Sequence, residues 1–372
     1  MAMDILRSPV SAVRLFNGGA TRSRRFNVRA TLPFPQQNAK HYKELQAAID
    51  VVQRACRLCL NVKSSLFSTD GKVLEKNDQT PVTVADFGVQ ALISFELNKL
   101  FPSIPLVAEE DSAFLRTRNL ADVCSHCIPG DEKMVVLDPI DGTRGFLKAG
   151  KALYVVGLAL VVEGEIVIGV MGCPNWKEDL SEKSSVEIEE GWDSLGGSGT
   201  VMIAHKGCGT WMKSLNSQLK SSGVWTRCFV DGSDIIHKAR FCIPDSQTWE
   251  SLPLTSLFNA TSNADNVGSN QILLLGACCG SLCKYLMVAS GRASIFILRA
   301  KEKTIIKAWD HAVGIICVHE AGGKVTDWKG SDIDLAADHV GRRIIFPSGG
   351  VLVANGNLHN KILQIINQTS RV

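Results

Sequence analysis

The chain has 372 residues, of which 45% are hydrophobic, so it can bury a sizeable core as one large α/β unit or as two closely packed domains. Its net charge of +3 is unevenly placed: residues 1–35 hold six arginines and one acid, a net +5, which leaves −2 over the remainder. A nearly neutral body argues against a nucleic-acid-binding protein. No stretch approaches about 18 uninterrupted apolar residues, which argues against a transmembrane helix, and we expect no membrane among the partners of this chain.

Residues 1–35 are rich in Arg, Ser and Ala and poor in acids, which is typical of an organellar transit peptide. The density of arginine favours the mitochondrion, whereas the stretch Val28-Arg29-Ala30 also suits processing in a plastid. A disordered tail without an address is the remaining alternative. We therefore expect residues 1–35 to be a disordered transit peptide, with the mitochondrion as the first choice of organelle.

The 12 cysteines do not form the pattern of a disulfide framework, because several lie in apolar helical stretches, where a reduced thiol acts as a small hydrophobic group. Two C-x-x-C pairs, Cys56 with Cys59 and Cys124 with Cys127, are too far apart for a zinc ribbon. Incidental thiols are the main interpretation, and redox activity of Cys124 and Cys127 stays open.

The first periodic stretch, from Lys40 to about Ser64, has apolar residues at helical spacing. Thr83 can cap a second helix, in whose first turn Asp86 is favoured by the helix dipole. A short strand, Leu106-Val107-Ala108, then runs into Glu109. Taken alone, Asp86 is typical of an acid that interacts with a helix dipole, and Glu109 is typical of a solvated loop.

An apolar run at 134–137 predicts a buried strand that ends in two aspartates, Asp138 and Asp141, with a proline between them. The proline stops the strand from continuing into helix, and Gly142 permits a sharp turn. The two carboxylates and the Ile140 carbonyl can then converge on one point. Such a cluster repels itself unless it holds a cation, and hard oxygen ligands suit Mg²⁺. A polar turn is the alternative.

The remaining elements follow this motif in order. A hairpin is predicted at 154–172, around the turn Glu163-Gly164, and a surface insertion at 178–199. A transition near 230–240 divides the chain into an N-terminal α+β domain of residues 36–235 and a C-terminal α/β domain of residues 236–372. The second domain contains a helix at 281–291, a strand at 293–298 that ends at Arg299, a helix opened by Asp310, a strand at 351–354 and a last helix at 358–366.

The acids of the chain thus stand at two strand ends (Glu109; Asp138 and Asp141) and at two helix starts (Asp86; Asp310). If the fold brings them together, they make an all-oxygen site for two or three Mg²⁺ ions. Such a site stabilises the attacking and the leaving oxygen in phosphate hydrolysis.

The order of these motifs resembles the inositol monophosphatase superfamily. The strings are Asp86, then Ala108-Glu109-Glu110, then Asp138-Pro-Ile-Asp-Gly-Thr143, then Trp309-Asp310-x-Ala-x-Gly314, and the resemblance extends from about Ala39 to Asn360. Within the superfamily, residues 80–86 look most like the 3′(2′),5′-bisphosphate nucleotidases, and especially the plant phosphatases that act on adenosine 3′,5′-bisphosphate.

The resemblance implies an α/β fold, the layered α/β/α/β/α sandwich of the Mg²⁺-dependent sugar phosphatases. It implies hydrolysis of adenosine 3′,5′-bisphosphate to AMP and phosphate, with the 3′-phosphate of its sulfated precursor as a further target. The metal-site domain would come first and the nucleotide-binding domain second. Two alternatives are an inositol phosphate phosphatase with the same metal site and a catalytically silent relative that binds nucleotide or senses redox state. Oligomeric state stays open.

The resemblance also assigns roles to residues. Asp86 and Thr143 would orient and deprotonate the attacking water, and Thr143 and Asp310 would contact the substrate. The adenylate would bind to Ser281, Lys284 and Arg299. The metal ligands would be Glu109, Asp138, the Ile140 carbonyl, Asp141 and Asp310.

One departure from the family pattern concerns Trp249, which stands where these nucleotidases carry a histidine near the nucleotide. A tryptophan can stack on adenine, but it cannot pair ionically with a phosphate. Substrate identity is what this departure puts in doubt.

Overall fold

Helical layers alternate with two sheets in the computed structural model. It describes residues 32–68, 74–75, 81–110, 133–148, 152–176, 199–215, 224–276, 280–301 and 305–369. The elements described below all belong to one unit, residues 33–372.

The first outer layer consists of two helices, α1 (Tyr42–Ser68) and α2 (Val84–Leu100), which pack against each other. The α1 helix buries one face, including Leu45, Val52 and Cys59, as its periodicity predicts. It lies against the middle strands of the first sheet, while α2 lies against the strand that carries Asp138. A small antiparallel pair, β1 (Leu74–Glu75) and β2 (Pro81–Val82), lies between the two helices in sequence.

The first sheet has seven strands in sequence order, and only its first two are parallel. The predicted hairpin is confirmed: its turn has φ of 53° at Glu163 and 81° at Gly164. The strands are β3 (Leu106–Ala108), β4 (Lys133–Asp141), β5 (Val155–Val162), β6 (Glu165–Cys173), β7 (Thr200–His205), β8 (Gly209–Ser214) and β9 (Thr226–Arg227). A short helix, α3 (Thr143–Leu147), follows β4.

The middle layer is formed by α4 (Leu282–Ala289) and α5 (Ala312–Glu320), which pack against each other and against both sheets. Every residue of α4 is buried, because sheet covers the helix on two sides. Side chains from both sheets join these helices in one hydrophobic cluster.

The second sheet has six strands in the order β11-β12-β10-β13-β17-β15. Successive side chains along each strand point to opposite faces of the sheet. Phe296 faces the middle layer, whereas Ile295 and Ile297 face the last helix, α6 (Gly356–Thr369). The strands are β10 (Arg240–Cys242), β11 (Asn259–Thr261), β12 (Gln271–Leu275), β13 (Ile295–Arg299), β15 (Gly323–Asp327) and β17 (Gly350–Asn355); β14 (Ile306–Lys307) pairs separately with β16 (Ile344–Ile345).

This order of layers confirms the predicted α/β/α/β/α sandwich. The division into domains of residues 36–235 and 236–372 stays a prediction, although the first sheet ends at Arg227 and the second begins at Arg240. The leader up to residue 31, the insertion at 178–199 except its last residue, and Cys124 and Cys127 lie outside the described residues. No helix among the described residues is long and apolar enough to cross a membrane.

Candidate active site

The end of β4 brings two aspartates to the same side of the sheet. On a regular strand, residues three apart point to opposite faces. Here the pairing of β4 with β5 shifts register between Asp138 and Asp141, and such an irregularity re-aims side chains. The strand runs through Pro139 to Asp141, beyond the apolar run 134–137 from which it was predicted. Gly142, with φ of 86°, then turns the chain into α3.

Asp310 joins this pair from the turn that precedes α5. Asp138, Asp141 and Asp310 each offer one carboxylate oxygen, and these three atoms lie within 4.8 Å of one another. They come from the first sheet and from the middle layer, so the site forms at the junction of the two. Glu109 is not part of this close group, although its charge acts on all three carboxylates.

The start of α4 fixes the orientation of Asp141. The backbone N–H of Ser281 donates to one carboxylate oxygen at 3.1 Å, and that of Leu282 donates to the other at 2.6 Å. Gly280 precedes them with φ of 71°, and a Cβ there would lie 2.3 Å from the Asp141 carboxylate. Only glycine fits this close approach.

In the absence of a cation, the three carboxylates of this cluster bind protons more tightly than a solvent-exposed aspartate does. Burial raises the pKa of Asp138 well above its usual range, and the charges of Glu109 and Asp141 add to this. Burial also raises the pKa of Asp141 to about 6, although the N–H donors of α4 and the charge of Lys284 lower it. The pKa of Asp310 is raised by burial and by Asp141.

Asp138 supplies the observation that tests whether a metal ion fits. Both of its carboxylate oxygens are buried and accept no N–H of the described residues; the side chain next to them is another carboxyl group, that of Asp310. A buried carboxylate without donors is costly unless a cation compensates it. Three clustered carboxylates with only oxygen donors fit Mg²⁺.

The strand end that carries Glu109 is attached to two other parts of the molecule. The Gln90 amide donates to the carbonyl of Glu110 at 2.8 Å and accepts from its N–H at 2.9 Å. Arg343 donates to the carbonyls of Ala108 at 2.8 Å and of Glu109 at 3.3 Å. Gln90 and Arg343 thus hold the backbone at the strand end that carries Glu109.

Asp86 and Thr143 are brought together as predicted. The Thr143 hydroxyl lies 3.3 Å from one oxygen of Asp86 and 3.1 Å from the Ile140 carbonyl, so its single proton can be donated to either. The other Asp86 oxygen accepts from the backbone N–H and the hydroxyl of Thr83, both at 2.7 Å. Thr83 thus caps α2, as predicted, and at the same time orients Asp86.

Comparison with known proteins identifies the family of this chain. Residues 37–371 match the model of the inositol monophosphatase family. The chain belongs to the inositol monophosphatase family.

Two relatives come from Arabidopsis thaliana. One, provisionally named a mitochondrial 3′(2′),5′-bisphosphate nucleotidase, is 57% identical and covers 97% of each chain. The other, 3′,5′-bisphosphate nucleotidase AHL, is 32% identical over 86% of this chain and 95% of its own. Among solved structures, the extragenic suppressor protein suhB from Bartonella henselae superposes with a TM-score of 0.59 at 19% identity, covering 87% of this chain and 98% of its own. This last likeness supports the shared family fold.

The adenylate-binding residues that the family resemblance implies lie in different environments. Ser281 starts α4 and donates its N–H to Asp141. Lys284 is buried, and its ammonium group donates to the Gly280 carbonyl at 2.8 Å. Arg299 is exposed at the end of β13 and donates to the Ser251 carbonyl at 2.5 Å. Their roles in binding substrate stay predictions.

Trp249 is a core residue, which corrects its interpretation as a platform for adenine. It is only 5% exposed, its ring meets Phe241 edge to face at 5.3 Å, and its indole N–H donates to the Phe258 carbonyl at 2.9 Å. The residue that replaces the family's histidine therefore packs inward, against the outer side of the second sheet.

Three residues of the site were missed from the sequence: Gln90, Gln247 and Arg343. The Gln247 amide donates to the carbonyl of Arg299 at 2.6 Å and accepts from its N–H at 2.9 Å, so it fixes the end of β13. Gln90 stands among apolar residues of a predicted helix, and this pattern could have indicated a buried polar contact. Gln247 and Arg343 act on residues 52 and more than 230 positions away, which no local pattern reveals.

Proposed function

We propose that this chain is a Mg²⁺-dependent 3′(2′),5′-bisphosphate nucleotidase that hydrolyses adenosine 3′,5′-bisphosphate to AMP and phosphate. The observation that carries this proposal is the cluster of Asp138, Asp141 and Asp310, in which the buried Asp138 oxygens accept no N–H of the described residues and lie next to a second carboxyl group. Membership of a Mg²⁺-dependent phosphatase family and the names of the Arabidopsis thaliana relatives support the reaction.

Two or three Mg²⁺ ions would be held by Glu109, Asp138, the Ile140 carbonyl, Asp141 and Asp310. When bound, they supply Lewis-acid polarisation of the phosphoryl group and lower the pKa of the attacking water. The Ile140 carbonyl can accept the Thr143 hydroxyl and still offer its second lone pair.

The pair of Asp86 and Thr143 would move the proton of the attacking water. As the water oxygen approaches phosphorus, its proton passes to the Thr143 oxygen, while the Thr143 proton passes to Asp86. Because Thr83 occupies the other Asp86 oxygen with two hydrogen bonds, the carboxylate is already oriented for this transfer. Thr143 and Asp310 would also contact the substrate.

The substrate would be recognised by its remote 5′-phosphate. Arg299 offers an exposed cation at the end of β13, and its backbone is fixed by Gln247. Ser281 and Lys284 would complete the adenylate site. The sulfated precursor of adenosine 3′,5′-bisphosphate has the same 3′-phosphate, so it would be a further substrate of the same site.

Phosphate release with Mg²⁺ from a panel of substrates tests this function. The panel contains adenosine 3′,5′-bisphosphate, its sulfated precursor, inositol monophosphate, inositol 1,4-bisphosphate and fructose 1,6-bisphosphate. We expect the adenosine bisphosphate to have the highest kcat/KM. Faster turnover of an inositol phosphate would favour the inositol phosphatase instead, and no turnover of any substrate would indicate a silent relative.

For localisation, we propose import into the mitochondrion, on the arginine-rich composition of residues 1–35 and the mitochondrial name of one relative. A fusion of residues 1–35 to a fluorescent protein tests this address. Accumulation in the plastid would contradict the choice of organelle.

A further inference from the structure

Glu109 and Asp310 reach the candidate metal site from opposite directions. Glu109 follows β3, an edge strand of three residues that is paired only with β4. Asp310 lies in the turn between β14 and α5. Neither residue is fixed by the β4 bulge that places Asp138 and Asp141. The pairing of β3 with β4 and the contact of Gln90 with Glu110 hold the backbone near Glu109, but neither reaches the turn that carries Asp310.

Arg343 contacts the backbone next to one acid and the side chain next to the other. Its guanidinium group donates to the carbonyls of Ala108 and Glu109, and it stacks over the ring of Trp309 with 5.2 Å to the ring centre. Its own carbonyl accepts the N–H of Ala308 at 2.9 Å. Arg343 thus joins the end of β3 to the turn that carries Asp310.

The loop that presents Arg343 is itself well ordered by one carboxylate. Asp338 accepts the N–H groups of Gly341 and Arg343, both at 3.0 Å, and that of Val340 at 3.3 Å. Among the described residues, no carboxylate forms an ion pair with Arg343. Its planar fork of donors is therefore directed at backbone carbonyls and an aromatic face, a geometry that lysine cannot reproduce.

We propose that Arg343 is a positioning residue that sets the distance between Glu109 and Asp310 and thereby the affinity of the site for divalent cations. This inference rests on the metal site of the proposed function. Two effects of Arg343 oppose each other. Its positive charge near the acids disfavours a cation, whereas its bridge preorganises two ligands. Outer groups that orient metal ligands typically contribute about 10- to 100-fold to metal affinity, so we expect the bridge to dominate.

The test measures binding of Mn²⁺, a hard-ligand substitute for Mg²⁺, to the full-length protein after treatment with chelator. Free Mn²⁺ is followed by electron paramagnetic resonance, without substrate. Arg343→Gln should bind Mn²⁺ about 10- to 100-fold more weakly than wild type. Arg343→Lys keeps the charge but not the fork, so it should recover only part of this loss.

Arg342→Gln is the matched control, because Arg342 contacts Met134 and no residue of the cluster in the described structure. It should bind Mn²⁺ like wild type. Each melting temperature is compared with that of the same variant without metal, and saturating Mn²⁺ should raise the melting temperature of Arg343→Gln less than that of Arg342→Gln or wild type.

Mn²⁺ binding by Arg343→Gln as tight as wild type, or tighter, overturns the inference, because Arg343 would then act only as a repelling charge. Full recovery by Arg343→Lys or equal weakening in Arg342→Gln overturns it as well. Failure of wild type to bind Mn²⁺ saturably would instead reject the metal site of the proposed function. The two failures are therefore distinguishable.

Discussion

Replacing Asp141 by asparagine separates the chemical role of this residue from its structural one. The amide keeps the size of the carboxylate and can still accept one N–H from the start of α4, where Ser281 and Leu282 now donate to two oxygens. It removes one of three clustered charges. We expect the variant to fold and to lose activity.

The magnitudes follow from the site. Loss of a ligand charge removes part of the several kcal/mol that metal ions contribute to the transition state, and about 3 kcal/mol corresponds to more than about 100-fold in kcat. The free energy of unfolding of the metal-free protein, in contrast, should not fall. A rise in pKa from 3.8 to about 6 means that ionised Asp141 destabilises the metal-free fold by about 3 kcal/mol at neutral pH. The lost hydrogen bond costs about 1–3 kcal/mol. Metal-free Asp141→Asn should thus be as stable as wild type or more so.

Asp327→Asn provides the matched control. Asp327 is also buried and accepts backbone N–H groups, those of Lys329, Ser331 and Ser348, but it is not part of the acidic cluster. This variant should lose thermal stability and keep its response to Mg²⁺. The assays are turnover at saturating Mg²⁺ and melting temperature with and without chelator. Turnover of Asp141→Asn within a factor of about three of wild type, where about 100-fold is expected, would refute the metal-site assignment.

Three further predictions concern the water, the acids and the substrate. Thr143→Val should lower kcat by about 10²- to 10⁴-fold at saturating Mg²⁺, because Asp86 loses its proton donor, while Mn²⁺ affinity is retained. In the presence of chelator, the free energy of unfolding measured by calorimetry should fall as pH rises from 3.8 through about 6. The reason is that Asp141 keeps its proton in the folded protein over this range, whereas it has lost that proton in the unfolded chain. Saturating Mg²⁺ or the substitution Asp141→Asn should reduce this fall. Arg299→Ala should lower kcat/KM for adenosine 3′,5′-bisphosphate by about 10- to 150-fold and spare inositol monophosphate, whereas Lys284→Ala should impair both substrates because Lys284 is buried against Gly280.

Sequence reasoning succeeded where the determinants are local. Thr83 and Asp86 cap a helix through groups three positions apart, and the turn after Asp141 needs a glycine that the sequence provides. Hydrophobic periodicity likewise predicted the first helix and the hairpin around Glu163. Each of these features depends on neighbours in the chain, so one sequence is sufficient.

It failed where the determinant is a neighbour in space. The position of Lys284 on a helix does not reveal that sheet covers that helix on both sides. Trp249 follows a strand at a place where the family keeps a polar residue, yet its contacts to Phe241 and Phe258 make it part of the core. Register also decides the site, because the bulge after Asp138 exists only through pairing with β5.

The double use of Asp141 explains how a repulsive acid cluster can be ready for a cation. Each of its oxygens accepts one N–H from the start of α4, and each retains a further lone pair for a metal ion. Packing of α4 against the first sheet therefore restricts the rotation of this carboxylate during folding, before any ion arrives. A cation would then meet a ligand whose orientation is already fixed, and less conformational entropy would be lost on binding. Weakening the contact between α4 and Asp141 should consequently reduce cation affinity even where every acid is retained.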